Sequence, residues 1–75
     1  MDIDKQFKIA VAHYTGGNFV QCANICQSIL AGFPNEARTL NLLANVRAQE
    51  GQQNEAIILA EAAYQVSPKD PLVLL

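Results

Sequence analysis

Apolar residues along this chain recur with the spacing of amphipathic helices. Leu40, Leu43 and Ala44 follow the three- and four-residue steps that place side chains on one helix face. Segments rich in Ala, Leu, Gln, Glu, Asn and Ile are separated by Gly or Pro, and none of them has the alternation of a strand. The pattern predicts four helices, at residues 3–15, 19–32, 37–50 and 54–66.

The breaks between these segments recur at one offset. Gly17 and Gly51 are 34 residues apart, and so are Pro34 and Pro68. Glycine permits the positive φ of a tight turn, whereas proline cannot continue a helix. The offset predicts an all-α chain of two tandem helix–turn–helix units. The predicted bounds are 1–75 for a single domain, 3–36 for the first unit, 37–70 for the second, and 71–75 for the start of a truncated third.

The second unit carries the fullest pattern, in the segment ARTLNLLANVRAQEGQQNEAIILAEAAYQVSP. Its small and apolar positions, and its closing proline, resemble those of the tetratricopeptide repeat family. These positions are Leu40, Leu43, Ala44, Ala56, Ala60, Ala63 and Pro68. Gln6, His13 and Arg47 depart from the residues that the family prefers. The resemblance implies two units stacked as a short right-handed α-solenoid, in which the first helix of each unit lines a concave face.

The same resemblance implies that a peptide or protein partner binds in the concave groove. The implied groove residues are Asp4, Phe7, Val11, Tyr14, Arg38, Asn41, Asn45, Ala48 and Gln49. Asn41 and Asn45 either hydrogen-bond a peptide backbone or simply face solvent. The aromatic and apolar half of the groove either contacts the ligand or is covered by a neighbouring helix of the same protein or of a second copy.

The chain has two cysteines, Cys22 and Cys26, spaced four residues apart. They coincide with Ala56 and Ala60 at the 34-residue offset, so we expect them to be buried as small apolar residues. A structural zinc site needs four ligands, and His13 is the only other plausible one. A disulfide within one helical turn is poorly directed. No metal and no cofactor are therefore predicted.

Composition excludes several classes of partner. Apolar residues make up 51% of the chain, charged residues 16%, and the net charge is −2. The five Lys and Arg residues are scattered singly, so a nucleic-acid partner is not expected. No apolar run approaches the ~20 residues that span a bilayer, and the N-terminus lacks the pattern of a signal peptide. We expect a soluble, cytoplasmic protein without a membrane partner.

The leading functional hypothesis is a protein–protein interaction module without catalytic activity. A second hypothesis makes the chain the N-terminal arm of a larger enzyme, such as a glycosyltransferase or a sulfotransferase. A third is a homo-oligomer that assembles through the apolar segment PLVLL. Its predicted self-association edge consists of Leu72, Leu74 and Leu75.

Overall fold

A computed structural model describes residues 2–66 of the chain. Within that range the fold is all-helical and contains no strand. The helices are α1 (Ile3–Thr15), α2 (Phe19–Gly32), α3 (Ala37–Gln49) and α4 (Gln53–Val66). The four predicted helices are confirmed; α3 ends one residue earlier than predicted and α4 begins one residue earlier.

Helices α1 and α3 begin at acidic N-caps that are 34 residues apart. The carboxylate of Asp2 accepts a hydrogen bond from the backbone N–H of Lys5 at 3.2 Å. The carboxylate of Glu36 accepts one from the N–H of Thr39 at the same distance. Each cap occupies a backbone donor that would otherwise lack an intrahelical partner.

The turns after α1 and α3 are also equivalent. Gly17 and Gly51 both have a φ of +81°. At the first turn the N–H of Asn18 donates to the carbonyl of His13 at 2.8 Å, and the second turn repeats this bond between the equivalent residues. This is the Schellman geometry, which needs a left-handed residue just beyond the helix end. Each hairpin is therefore closed by a glycine for a conformational reason.

The glycine requirement at Gly17 gives a testable expectation. Gly17→Ala should lower the free energy of unfolding by about 1–2 kcal/mol, because the left-handed region costs a residue with a Cβ roughly that much. Gly16→Ala is the matched control, since Gly16 has a right-handed φ of −84° and a new Cβ there would meet the carbonyl oxygen of Ala12 at 3.4 Å, an ordinary contact. Urea denaturation of both variants would contradict the expectation if their losses were equal.

Helix α3 lies at the centre of the fold. It packs against α2 and α4 and also contacts α1. Eight of its 13 residues are buried, including Leu40, Leu42, Leu43 and Val46. The main core cluster joins α3 to the first hairpin; its buried members are Ala10, Cys22, Ala23, Cys26, Leu42, Leu43 and Val46. A smaller cluster of Leu40 and Ala63 joins α3 to α4.

Arg47 ties the second hairpin together at its turn. Its guanidinium donates to the carboxylate of Glu50 at 2.8 Å and to that of Glu55, on α4, at 3.2 Å. This contact gives a structural role to one residue that departs from the repeat pattern.

Across residues 2–66, no helix combines the length and apolar character that crossing a membrane requires.

Candidate docking face on helices α3 and α4

Two adjoining cavities open on the side of the second hairpin. The smaller has a volume of about 160 Å³ and lies between α3 and α4. The larger has a volume of about 420 Å³ and lies along α4. Ile57 and Ala60 line both cavities, so the two form one continuous surface, which we call the end face. The end face consists of Asn41, Ala44, Asn45, Ala48, Ala56, Ile57, Ala60, Glu61, Tyr64 and Gln65.

Large apolar side chains are exposed on the end face and beside it. Ile57 is 54% exposed and Tyr64 is 50% exposed, and both lie on the end face. Ile58 and Val66 of α4 are also exposed. Ile57 and Tyr64 line the same cavity, and large apolar residues exposed together typically mark an interaction site, whereas isolated ones do not.

The smaller cavity corresponds to the main core cluster, displaced by one unit. Subtracting 34 from each of its seven lining residues gives seven residues of the first hairpin, and all seven belong to that cluster or pack against it. These equivalents are Phe7, Ala10, Val11, Tyr14, Cys22, Ala23 and Cys26. Helix α3 packs on these residues of the first hairpin and completes the cluster with Leu42, Leu43 and Val46. The end face is thus the second hairpin's counterpart of the surface that α3 covers on the first.

Equivalent positions of α2 and α4 differ in exposure for this reason. Ala23 is 6% exposed, whereas its equivalent Ile57 is 54% exposed. Helix α2 has α3 as a second neighbour, while α4 packs only against α3 in the described part of the chain. Residue type does not explain the difference in exposure, because isoleucine is more apolar than alanine and would be expected to be the more buried of the two. The difference comes from packing: among residues 2–66, α4 has one helix neighbour where α2 has two.

The opposite side of the fold, on α1, is polar at the corresponding positions. Leu42 of α3 is buried, and its equivalent on α1 is the exposed Lys8. Thr39 is fully buried, and its equivalent is the exposed Lys5. The two ends of the hairpin pair therefore differ in chemistry: the α1 side suits water, whereas the end face suits an apolar neighbour.

Three of the predicted groove residues lie together across α1 and α3. The guanidinium of Arg38 donates to the carboxylate of Asp4 at 2.8 Å and lies 4.9 Å from the ring centroid of Phe7. Arg38 also bonds to Glu36, and the hydrogen bond to Asp4 is the main reason that its pKa is raised. The carboxylate of Asp4 is largely exposed, so this ion pair contributes little to stability.

Two other groove residues serve the core. Val11 and Tyr14 are half-buried and pack against the main core cluster. The ring of Tyr14 also lies 5.4 Å from that of Phe19 across the first turn. Phe7 also packs against this cluster and is half-buried, and a ligand-binding role for the three residues stays a prediction.

The groove residues of α3 divide between the end face and solvent. Asn45 and Ala48 are half-buried on the end face, and Gln49 is exposed. Asn41 also lines the smaller cavity but is only 5% exposed, so it does not face solvent. The structure thus places Asn41, Asn45 and Ala48 next to α4, whereas Arg38 is the groove residue of α3 that contacts Asp4. A partner-binding role for these residues stays a prediction.

Cys22 and Cys26 are both free and fully buried, as the sequence predicts. Burial, with a smaller contribution from the neighbouring Cys22, raises the pKa of the Cys26 thiol to about 12. Burial also raises the pKa of Cys22. Thiolates are the reactive form of cysteine, so these two side chains act as inert apolar groups at neutral pH. Among residues 2–66, no group of three or more His, Cys, Asp or Glu side chains could hold a metal ion.

The sequence analysis missed the α4 half of the end face. The missed residues are Ala56, Ile57, Ala60, Glu61, Tyr64 and Gln65, together with Ala44 of α3. The sequence signal that could have identified these residues is the 34-residue offset, at which Ile57 is the equivalent of the small residue Ala23 of α2. The predicted self-association edge, Leu72, Leu74 and Leu75, lies outside the described residues.

Comparison of the chain with protein-family models, curated proteins and solved structures gave no match.

Proposed function

We propose that residues 3–66 form two tetratricopeptide-type units, stacked as a short right-handed α-solenoid, and act as a protein-interaction module without catalysis. Equivalent N-caps, equivalent glycine turns and equivalent core positions at one offset support the repeat assignment. The end face is the interaction surface, and its ligand is an amphipathic helix.

One observation carries this proposal: each residue that lines the smaller cavity is 34 positions after a residue of the first hairpin that belongs to the core cluster completed by α3, or packs against it. The ligand should therefore resemble α3, with branched apolar side chains spaced like Leu42, Leu43 and Val46. Recognition of a helix by an apolar groove uses this arrangement of anchors.

Small side chains on the end face support the same ligand. Ala44, Ala48, Ala56 and Ala60 line the smaller cavity, and small residues allow the backbones of two helices to approach closely. Asn45 adds an amide that can bond a polar group on the ligand helix. The surface thus combines apolar area with one polar contact that fixes orientation.

A peptide of residues 36–49 is the probe for this proposal, because it carries the helix that the fold already seats on the equivalent surface. NMR titration of the full chain should shift the signals of Ile57 and Ala60. Ala60→Glu should weaken peptide binding at least about tenfold, since the peptide would bury a charge without a partner. Ile58→Glu is the matched control, because Ile58 is 66% exposed and lines neither cavity.

Two results would overturn the proposal. One is equal affinity of the peptide for the Ala60→Glu variant and the unmodified chain. The other is equal binding of a peptide in which its two adjacent leucines, Leu42 and Leu43, are replaced by Asp. A circular dichroism spectrum of each variant would establish that the four helices persist.

A further inference from the structure

We propose that the end face of one chain receives helix α1 of a second copy, so that copies stack head to tail. The inference rests on the proposed function of the end face and names its ligand helix. Helix α1 is the equivalent of α3 at the 34-residue offset, and α3 already covers the equivalent surface of the first hairpin. A second copy stacked in the same way would present α1 in the place of α3.

Helix α1 carries an exposed surface of its own, formed by Lys5, Lys8, Ile9 and Ala12, which we call the outer side of α1. The last three of these residues are 34 positions before the three α3 residues of the main core cluster. Ile9 is 39% exposed, although its equivalent on α3, Leu43, is only 4% exposed. The outer side of α1 therefore leaves uncovered the positions by which α3 packs on the first hairpin.

Side-chain sizes on the outer side of α1 and on the end face are complementary. In the main core cluster, α2 contributes the small Ala23 and α3 contributes the larger Val46. At the equivalent positions the order is reversed, because α4 has the larger Ile57 and α1 has the small Ala12. The stacked copies would again combine one large and one small side chain. Exchanges that conserve volume are the ones that packed surfaces tolerate best.

Charges on these two surfaces are also complementary. Among the Asp, Glu, Lys and Arg side chains of residues 3–66, only those of Glu61, Lys5 and Lys8 take part in no ion pair. Glu61 lies on the end face, and both lysines lie on the outer side of α1. The unpaired carboxylate and the unpaired ammonium groups are thus on the two surfaces that stacking would join, and opposite charges of this kind favour one partner and one register.

The order of residues along the helices brings Glu61 to Lys8 of the second copy. Helices α2 and α3 are joined by a short linker and pack together, so they run antiparallel. Gln27 and Leu42, the equivalents of Glu61 and Lys8, both lie near the middle of their helices. Antiparallel packing puts the middles of two such helices at the same level. The stacked copies would therefore have a carboxylate and an ammonium group where α2 and α3 have an amide and a leucine.

The lysines of α1 are compatible with a partly apolar partner surface. A lysine stem can lie along apolar atoms while its ammonium group stays at the edge of the contact. Tyr64 lines the same cavity as Glu61 and is 50% exposed, so its ring is available to the stem or the ammonium group of Lys5. In a single chain the same ammonium groups keep the outer side of α1 in contact with water.

Stacking of this kind is heterologous, because the two copies use different surfaces. Each added copy leaves one end face and one outer side of α1 uncovered, so assembly does not close at two chains. A two-fold pairing of end faces is less favourable, since two copies of Glu61 would meet on a surface whose described residues include no cation.

The test is a charge exchange followed by sedimentation equilibrium of the full chain. The unmodified chain should form species larger than one chain, in a proportion that rises with concentration. Lys8→Glu and Glu61→Lys should each weaken association at least about tenfold, because each brings like charges together. An equimolar mixture of the two variants should associate again, and so should the chain with both substitutions. The two substitutions change the net charge in opposite directions, so a loss in both variants would be local in origin.

A second pair of variants tests the apolar part of the contact. Ile57→Ala should weaken association by about tenfold, because the stacked copies would bury less apolar surface. Ile58→Ala is the matched control on the same helix, since Ile58 is 66% exposed and lines neither cavity. It should leave the association constant unchanged.

Three results would overturn the inference. One is a mass of one chain at every concentration. Another is weakened association in Glu61→Lys but not in Lys8→Glu, which would assign the contact to two end faces. The third is a mixture of the two variants that fails to associate. Binding of the peptide of residues 36–49 is measured separately, so a chain that binds the peptide but does not stack would contradict this inference and leave the proposed function standing.

Discussion

Ile29→Ala should be one of the most destabilising single truncations in this protein. Ile29 lies on α2, is fully buried and is among the largest side chains with no exposed surface. Removing its apolar atoms and leaving a cavity should cost roughly 2–5 kcal/mol. A chain of 75 residues has about 4–11 kcal/mol of stability by typical per-residue values. The substitution should therefore remove a large part of the total and lower the urea midpoint accordingly.

Ile58→Ala is the matched control for this prediction. It makes the same chemical change on α4, where Ile58 is 66% exposed. Alanine has the higher helix propensity, and little buried area is lost, so the free energy of unfolding should change by no more than about 0.5 kcal/mol. Urea titrations followed by circular dichroism would measure both variants. Equal losses at the two positions would contradict the burial assigned to Ile29.

Ala63→Leu should destabilise the second hairpin by overpacking. Ala63 is the equivalent of Ile29 and is also fully buried, but it packs in a cluster with Leu40 against which Leu59 also packs. A leucine at this position would force off-rotamer side chains or a shift of α4. Overpacking of this kind costs about 1–3 kcal/mol. The melting temperature should fall by several degrees, as expected for a domain of this size.

Ala60→Leu provides the comparison, since it adds the same atoms to the same helix. Ala60 lines both cavities of the end face, so the longer side chain has room to enter open space. Its melting temperature should stay close to that of the unmodified chain or rise slightly. If Ala60→Leu were as destabilising as Ala63→Leu, the end face would be closed in solution, and the volumes of its two cavities would not apply there.

Much of the fold follows from the sequence because its causes are local. The glycines at positions 17 and 51 specify left-handed helix ends, and the periodic Leu and Ala positions specify helices between them. The burial of Cys22 and Cys26 also follows, because their equivalents in the second unit are alanines. Each of these features depends on residues within one turn or within one repeat, where pattern and structure are closely coupled.

The location of the candidate site did not follow from the same pattern. The groove predicted along α1 and α3 divides in the structure: Val11 and Tyr14 support the core, whereas Asn45 and Ala48 face α4. Residue type gave no warning, since a half-buried Tyr in a core and a ligand-binding Tyr in a groove have the same chemistry. Only the order of helix neighbours separates the two roles.

The sequence by itself determined four helices, their turns and a 34-residue repeat, because helix propensity, capping and glycine conformation act over a few residues. The tertiary structure alone decided which of two equivalent residues, one in each unit, is buried by a neighbouring helix. Ala23 and Ile57 occupy the same place in their units, yet one is buried and the other is half exposed. The physical reason is that coverage depends on a neighbouring helix from another part of the chain: α2 has α3 beside it, whereas among residues 2–66 no helix covers the end face.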